Sequence, residues 1–186
     1  FVLKQLGINK FCFDVVHVAG TNGKGSVCFK IAKGLTQRIQ KVGLFSSPHI
    51  SCFTQRIQID FVPIDKKVAF EILKKISNIC QEYGQKLCFF DCMCVLGFYY
   101  FHTMKVTVAV IEVGLGGRYD QTNLVNPILS IITSIGIDHQ DRLGCTLNNI
   151  AEHKAGIIKE GVAVILGPTC IQKPILLEVK KKTASS

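Results

Sequence analysis

The chain has 186 residues, 48% of them hydrophobic and 19% charged, which suffices for one sizeable core and excludes a globally disordered chain. Its formal charge of +9, from 22 Lys and Arg against 13 Asp and Glu, suits a phosphate-rich ligand; no aromatic-basic alternation accompanies the scattered cations, which sets nucleic acid aside. The longest nearly apolar stretch, Cys88 to Phe101, carries Asp91 and is shorter than the roughly 18 residues of a spanning helix, so no membrane segment is expected.

The chain starts at Phe1 with no h-region behind it and is read as a piece whose native start lies upstream, expected in the cytoplasm with organellar targeting left open. Val15 to Ala19 is the first short β-branched run, and Val27, Ile31, Leu35 and Ile39 then recur every four residues on one helical stripe. Val42 to Phe45 predicts a second strand. Ser46 to Pro63 has no helical period and is expected to be a long functional loop with one extended piece, Arg56 to Phe61. Val68, Ile72, Ile76 and Cys80 mark a second amphipathic helix, and Cys92 to Met104 reads as a buried one. Strands are predicted at Val106 to Val113, Ile128 to Ile135 and Val162 to Leu166. Thr146 suits the N-cap of a helix through Lys159 with Gly161 as its stop, and a last helix is expected from Pro174 to Lys182, making the Lys180-Lys181-Lys182 run a solvated helix end. Buried strands alternating with helices predict a single α/β domain over residues 1–186: an open, mostly parallel sheet flanked by helices, with ligands at the carboxyl ends of the strands.

Nine cysteines, none in a Cys-x-x-C pair, read as small buried hydrophobes in a reducing compartment. The chemistry gathers after the first strand, in Gly20-Thr21-Asn22-Gly23-Lys24-Gly25-Ser26. Glycines let backbone N–H groups turn toward phosphate oxygens, the following helix N-terminus adds partial positive charge, Lys24 can reach a terminal phosphate, and Ser26 can ligate Mg²⁺. The loop departs from G-x-x-x-x-G-K-[ST] in having two residues between its first glycines and Gly25 between Lys24 and Ser26. Glu112 ends a buried strand, where a carboxylate costs several kcal/mol unless it meets a cation, so the position asks for a nucleotide-bound metal. Gly114-Leu115-Gly116-Gly117-Arg118 is not a G-x-G-x-x-G fingerprint, which leaves NAD a weak alternative. Asp138-His139 brings a second metal-capable group to a strand end.

Five blocks, His17 to Ser26, Ser46-Ser47-Pro48-His49, Glu112 to Arg118, Asp138-His139 and Ile150 to Lys159, resemble in order and spacing the folylpolyglutamate synthase and dihydrofolate synthase family of the Mur ligase superfamily. The Lys-Gly-Ser loop ending separates that family from the peptidoglycan ligases. The resemblance implies a P-loop NTPase-like sheet of the Mur ligase central-domain type and an ADP-forming amide ligase. ATP would activate a dihydropteroate or folate carboxylate as an acyl phosphate, which L-glutamate attacks. It implies ATP contacts from Gly20, Thr21, Asn22, Gly23, Lys24, Gly25 and Ser26, with Asn123 in an adjacent turn. It implies Mg²⁺ at Ser26 and Glu112, a second metal at Ser47, Glu112 and His139, and a lysine carried as a carbamate at Lys154. Lys24, Glu112, His139 and Lys154 would be catalytic, and Cys88, Phe89, Phe90, Asp91, Tyr119, Asp120 and Gln121 would meet the pterin. The chain departs from the family pattern at Thr54-Gln55-Arg56, Asp91, Tyr119, Gln121 and His153. A C-terminal domain of the same protein is expected to close the site, so that this piece alone should bind nucleotide weakly and not ligate. The alternatives are a nucleotide-binding remnant without turnover, a different Mur-type ligase, or another ATPase or kinase on a similar sheet.

Overall fold

The computed structural model describes residues 1–183. In chain order its elements are α1 (Val2–Gln5), β1 (Asp14–Ala19), α2 (Lys24–Leu35), β2 (Val42–Phe45), β3 (Ile57–Ile59), β4 (Val62–Pro63), α3 (Lys66–Glu82), α4 (Phe89–Thr103), β5 (Val108–Glu112), β6 (Leu129–Ile132), α5 (Gln140–Leu143), α6 (Leu147–Ala155), β7 (Ala163–Leu166) and α7 (Lys173–Thr183). The strands make one mostly parallel sheet in the order β4-β3-β2-β5-β1-β6-β7, the α/β class that the alternation of runs predicts. The chain divides into two compact units, one of residues 1–14 and 32–109, the other of residues 15–31 and 110 onward. No helix among the described residues is long and apolar enough to cross a membrane.

In the second unit β1 is buried at each of its last five positions, His17 among them. β6 pairs in parallel with β1, Val16 opposite Leu129 and Ala19 opposite Ile132, and with β7, Leu129 opposite Ala163 and Ile132 opposite Leu166. Ala19, Val113, Ile132, Ile150, Ala151, Ile157 and Ile175 lie in its core. β7 alternates between exposed and half-buried residues; it ends the sheet, so the fully buried strand expected there does not form. Thr146 caps α6 by accepting from Asn149 N at 3.2 Å, but the helix ends at Ala155, not Lys159. The backbone N–H of Arg118 takes the carbonyl of His153 at 2.7 Å, and Arg118 packs so close that a Cβ on Gly156 would lie 2.4 Å from its Cα. The chain leaves the helix there and turns Ile157 and Ile158 into the core.

In the first unit the expected loop from Ser46 to Pro63 contains a 3-10 turn, Phe53–Arg56, and a β3–β4 hairpin, with β3 antiparallel to β2 through Gly43 opposite Ile59 and Phe45 opposite Ile57. Asp60 and Phe61 turn that hairpin with φ of 50° and 66°. Asp60 is a usual first residue of such a turn but Phe61 stands where Gly is usual, so the sequence carries half of the signal; β3 falls within the extended piece expected at Arg56 to Phe61. Asp65 caps α3 by accepting from Lys67 N and Val68 N. The buried residues of α3 are Ala69, Ile72 and Ile76, while Val68 is exposed. α4 starts three residues before its expected first turn because Cys88 and Asp91 form a reciprocal cap. None of the nine cysteines is in a disulfide; Cys28, Cys94 and Cys170 are buried and Cys12, Cys88 and Cys145 exposed, so the buried-hydrophobe reading holds for three.

Candidate active site

The phosphate loop lies within the second unit, between β1 and α2. Gly20 has φ of 150°, and a Cβ there would sit 1.9 Å from Thr133 Oγ1, so no other residue fits. A polar seam from the end of β6 holds the loop. Thr21 N donates to Ser134 O at 2.9 Å, Asn22 N to Ser134 Oγ at 2.9 Å, and Thr133 Oγ1 to Asn22 O at 2.6 Å. Thr21 Oγ1 donates to Gly136 O at 3.1 Å and accepts from Gly136 N at 3.0 Å. Thr133, Ser134 and Gly136 were missed as supports of the site; their signal is two consecutive hydroxyls just past the end of β6.

Two ammonium groups converge on one carbonyl. Lys24 Nζ donates to Gly20 O at 3.0 Å and Thr21 O at 3.2 Å, and Lys154 Nζ donates to Gly20 O at 2.9 Å. Lys154 is only 4% exposed. Burial, and secondarily the charge of Lys24, lowers its pKa to about 8. Glu112, buried at the end of β5, places its carboxylate oxygens 3.5 and 3.6 Å from the position a Cβ on Gly25 would take. That puts a carboxylate against the first turn of α2, one residue from the exposed Ser26. The thiol of buried Cys28 is pushed up by burial and then by Glu112.

The turn after β5 is held by its own polar groups. Asp120 accepts from Leu115 N at 2.7 Å, Thr122 N at 2.9 Å and the Thr122 hydroxyl. Asn123 Nδ2 donates to Arg118 O at 3.0 Å and Gly156 O at 3.1 Å. Tyr119 and Gln121 are exposed, with the Tyr119 ring edge-on to His153 at 5.7 Å. His139 is exposed in a left-handed conformation at the start of α5, with Nε2 3.6 Å from Asp138 Oδ2. Among the described residues no three His, Cys, Asp or Glu side chains gather as a metal cluster. The second unit thus brings together the loop, Lys24, Lys154 and Glu112. Ser47, Cys88, Phe89, Phe90 and Asp91 belong to the first unit, where Phe90 packs on Phe45 and Phe89 lies exposed beside His49 and Arg56. There the Asp91 carboxylate accepts from Cys88 N at 3.0 Å.

The Mur ligase middle domain matches this chain over residues 18–184. The chain belongs to the Mur ligase middle-domain family. It is 39% identical over 176 residues to folylpolyglutamate synthase of Lacticaseibacillus casei, a match that covers 92% of this chain and 41% of that protein. It is 41% identical over 189 residues to dihydrofolate synthase/folylpolyglutamate synthase of Bacillus subtilis, covering 98% and 43%. The apo form of the L. casei enzyme superposes with a TM-score of 0.90 at 37% identity, over 97% of this chain and 46% of that one. The E. coli FolC structure in complex with DHPP and ADP gives 0.91 at 31%, over 97% and 43%. This Mur ligase middle domain therefore spans less than half the length of the curated relatives it matches, and the family named from its five sequence blocks is the one found.

Proposed function

We propose that the chain is the ATP-binding part of an ADP-forming ligase that joins L-glutamate to the carboxylate of a dihydropteroate or folate. The observation that carries this reading is the convergence of Lys24 and Lys154 on Gly20 O at an amide-lined loop with buried Glu112 behind it. Two cations and a helix N-terminus suit a triphosphate. The Ser26 hydroxyl and Glu112 carboxylate are hard oxygen donors of the kind Mg²⁺ takes. When bound there, the ion supplies charge neutralisation on the phosphates.

In this scheme a substrate carboxylate oxygen attacks the γ-phosphorus and ADP departs. The glutamate amine then attacks the acyl carbon, phosphate leaves and the amine sheds a proton. Lys24 and the loop amides stabilise charge moving onto ADP. Lys154, at a pKa of about 8, is partly uncharged near neutral pH, and the uncharged amine is the form that adds to CO₂ to give a carbamate and a proton. Complexes of similar proteins support the substrate class: FPGS with AMPPCP and folate, and E. coli FolC with DHPP and ADP.

The test is ADP release from MgATP by the ligase of which this chain is the ATP-binding part, in the presence of glutamate and either dihydropteroate or folate. Release that needs both co-substrates, with a product heavier by one glutamyl residue, is the expected result. Release needing neither would assign a plain ATPase, and nucleotide binding without release would assign a binding module.

A further inference from the structure

His17 is a fully buried imidazole in the middle of β1 that the scheme above does not use. Its Nε2 lies 2.9 Å from Thr122 Oγ1. The Thr122 hydroxyl, itself fully buried, spends its proton on Asp120 Oδ1, so it can only accept from the ring. The imidazole is therefore the tautomer with its proton on Nε2. Nδ1 is buried and has no hydrogen-bond partner among the described residues. Protonating it would bury an unsatisfied N–H, and burial followed by the charge of Lys159 lowers the ring's pKa to about 3. A neutral donor of fixed tautomer thus stands at the root of a chain: His17 to the Thr122 hydroxyl, that hydroxyl to Asp120, and Asp120 to the backbone N–H groups of Leu115 and Thr122. The last links close the turn that presents Tyr119 and Gln121 to solvent.

We propose that His17 is a positioning residue that sets the conformation of the turn from Leu115 to Thr122, and through it the affinity for the acceptor substrate while leaving nucleotide affinity alone. The substrate half rests on the pteroate reading above; the positioning half does not. An apolar residue at 17 would leave Thr122 Oγ1 without its donor and loosen the hydroxyl that orients Asp120 Oδ1, whereas a glutamine keeps an amide N–H of similar reach. A core histidine that merely fills space would be replaced equally well by leucine.

The test compares H17L, H17Q, T122V and the H17L/T122V double variant, each confirmed as folded by circular dichroism and by unchanged ADP affinity. Hydrogen exchange at the Leu115 and Thr122 amides should quicken at least tenfold in H17L and T122V and return toward wild type in H17Q, with the double variant no worse than either single one. Dihydropteroate binding should weaken about tenfold in H17L and recover in H17Q. Unchanged exchange in folded H17L, or additive losses in the double variant, would overturn the positioning role. If the wild type binds no dihydropteroate, the substrate reading fails, and the exchange series still decides the turn.

Discussion

Replacing Lys24 with alanine tests the phosphate loop most directly. Nζ makes two contacts, to Gly20 O at 3.0 Å and Thr21 O at 3.2 Å, both of which would be traded for phosphate oxygens on binding. A charge-assisted contact is worth about 1.5–3 kcal/mol. Surrendering two carbonyl contacts offsets part of that, so the net loss belongs at the lower end, about 1.5–2 kcal/mol, or roughly 10- to 30-fold in Kd. Lys154 stays on Gly20 O and keeps one cation at the loop, which is a second reason the loss is not larger. Titration calorimetry with Mg²⁺ and a non-hydrolysable ATP analogue, on protein shown to be folded, reads it. A change of less than about twofold would mean that Lys24 does not face the phosphates, and the loop assignment would fall with it.

Lys154 has a pH signature. Below about pH 8 its ammonium is charged in both folded and unfolded chains and its burial is a full penalty; between about 8 and 10.5 only the unfolded chain holds the proton, so wild-type stability should gain on the order of 3 kcal/mol relative to K154M across that window, measured by urea melts at pH 7 and 10. Equal slopes for the two proteins would refute the buried amine. ¹³C-labelled CO₂ should give a carbamate resonance in wild type that K154M lacks. His17 acts at the other end of the scale. Its folded pKa of about 3 against 6.5 unfolded means that stability is lost as pH falls from 6.5 toward 3, by an amount on the order of several kcal/mol that H17Q should largely abolish. Gly156→Ala should destabilise by at least about 2 kcal/mol, some 4–8 °C in Tm, because its Cβ meets the Arg118 backbone at 2.4 Å. Gly34→Ala, with open space around it in α2, should stabilise slightly, and a reversed order of the two would contradict the packing.

The central strands were legible because burial at successive positions demands a short β-branched run such as Val15 to Ala19 or Val108 to Ile111, and length and β-branching separate it from a buried helix such as α4. The phosphate loop was legible because backbone amides can surround phosphate only where glycine permits it. Strand β3 was legible as the extended piece at Arg56 to Phe61, but its turn into β4 was not, because it places Phe61 at positive φ, a conformation imposed by strand pairing and not by local preference. The end of α6 was hidden for a similar reason: it is set by Arg118, 38 residues earlier in the chain than Gly156, through a contact that no window of sequence contains. Within the site, Lys24 and Glu112 were read from the loop and the strand end themselves, and Lys154 from the family blocks. The seam of Thr133, Ser134 and Gly136 was overlooked, since hydroxyls at a strand end look like an ordinary transition into a loop. Asp120, assigned to the pterin by resemblance, has both carboxylate oxygens turned to its own turn, a role in shaping the loop that only the fold displays.

The shared carbonyl of Gly20 couples two equilibria that are usually treated apart. Lys24 is one of the groups holding the Lys154 pKa near 8, and a polyanion in the loop would neutralise that influence and add attraction of its own. Lys154 would then hold its proton more tightly, so each anion bound near pH 8 carries a fraction of a proton in from solution. The heat of binding then includes the ionisation heat of the buffer, and its slope across buffers counts the protons. Alkaline solutions would weaken nucleotide capture beyond anything the ligand's own titration explains, and nucleotide capture would in turn withdraw the free amine that CO₂ needs, making the two occupants of this carbonyl's neighbourhood competitors for one lone pair.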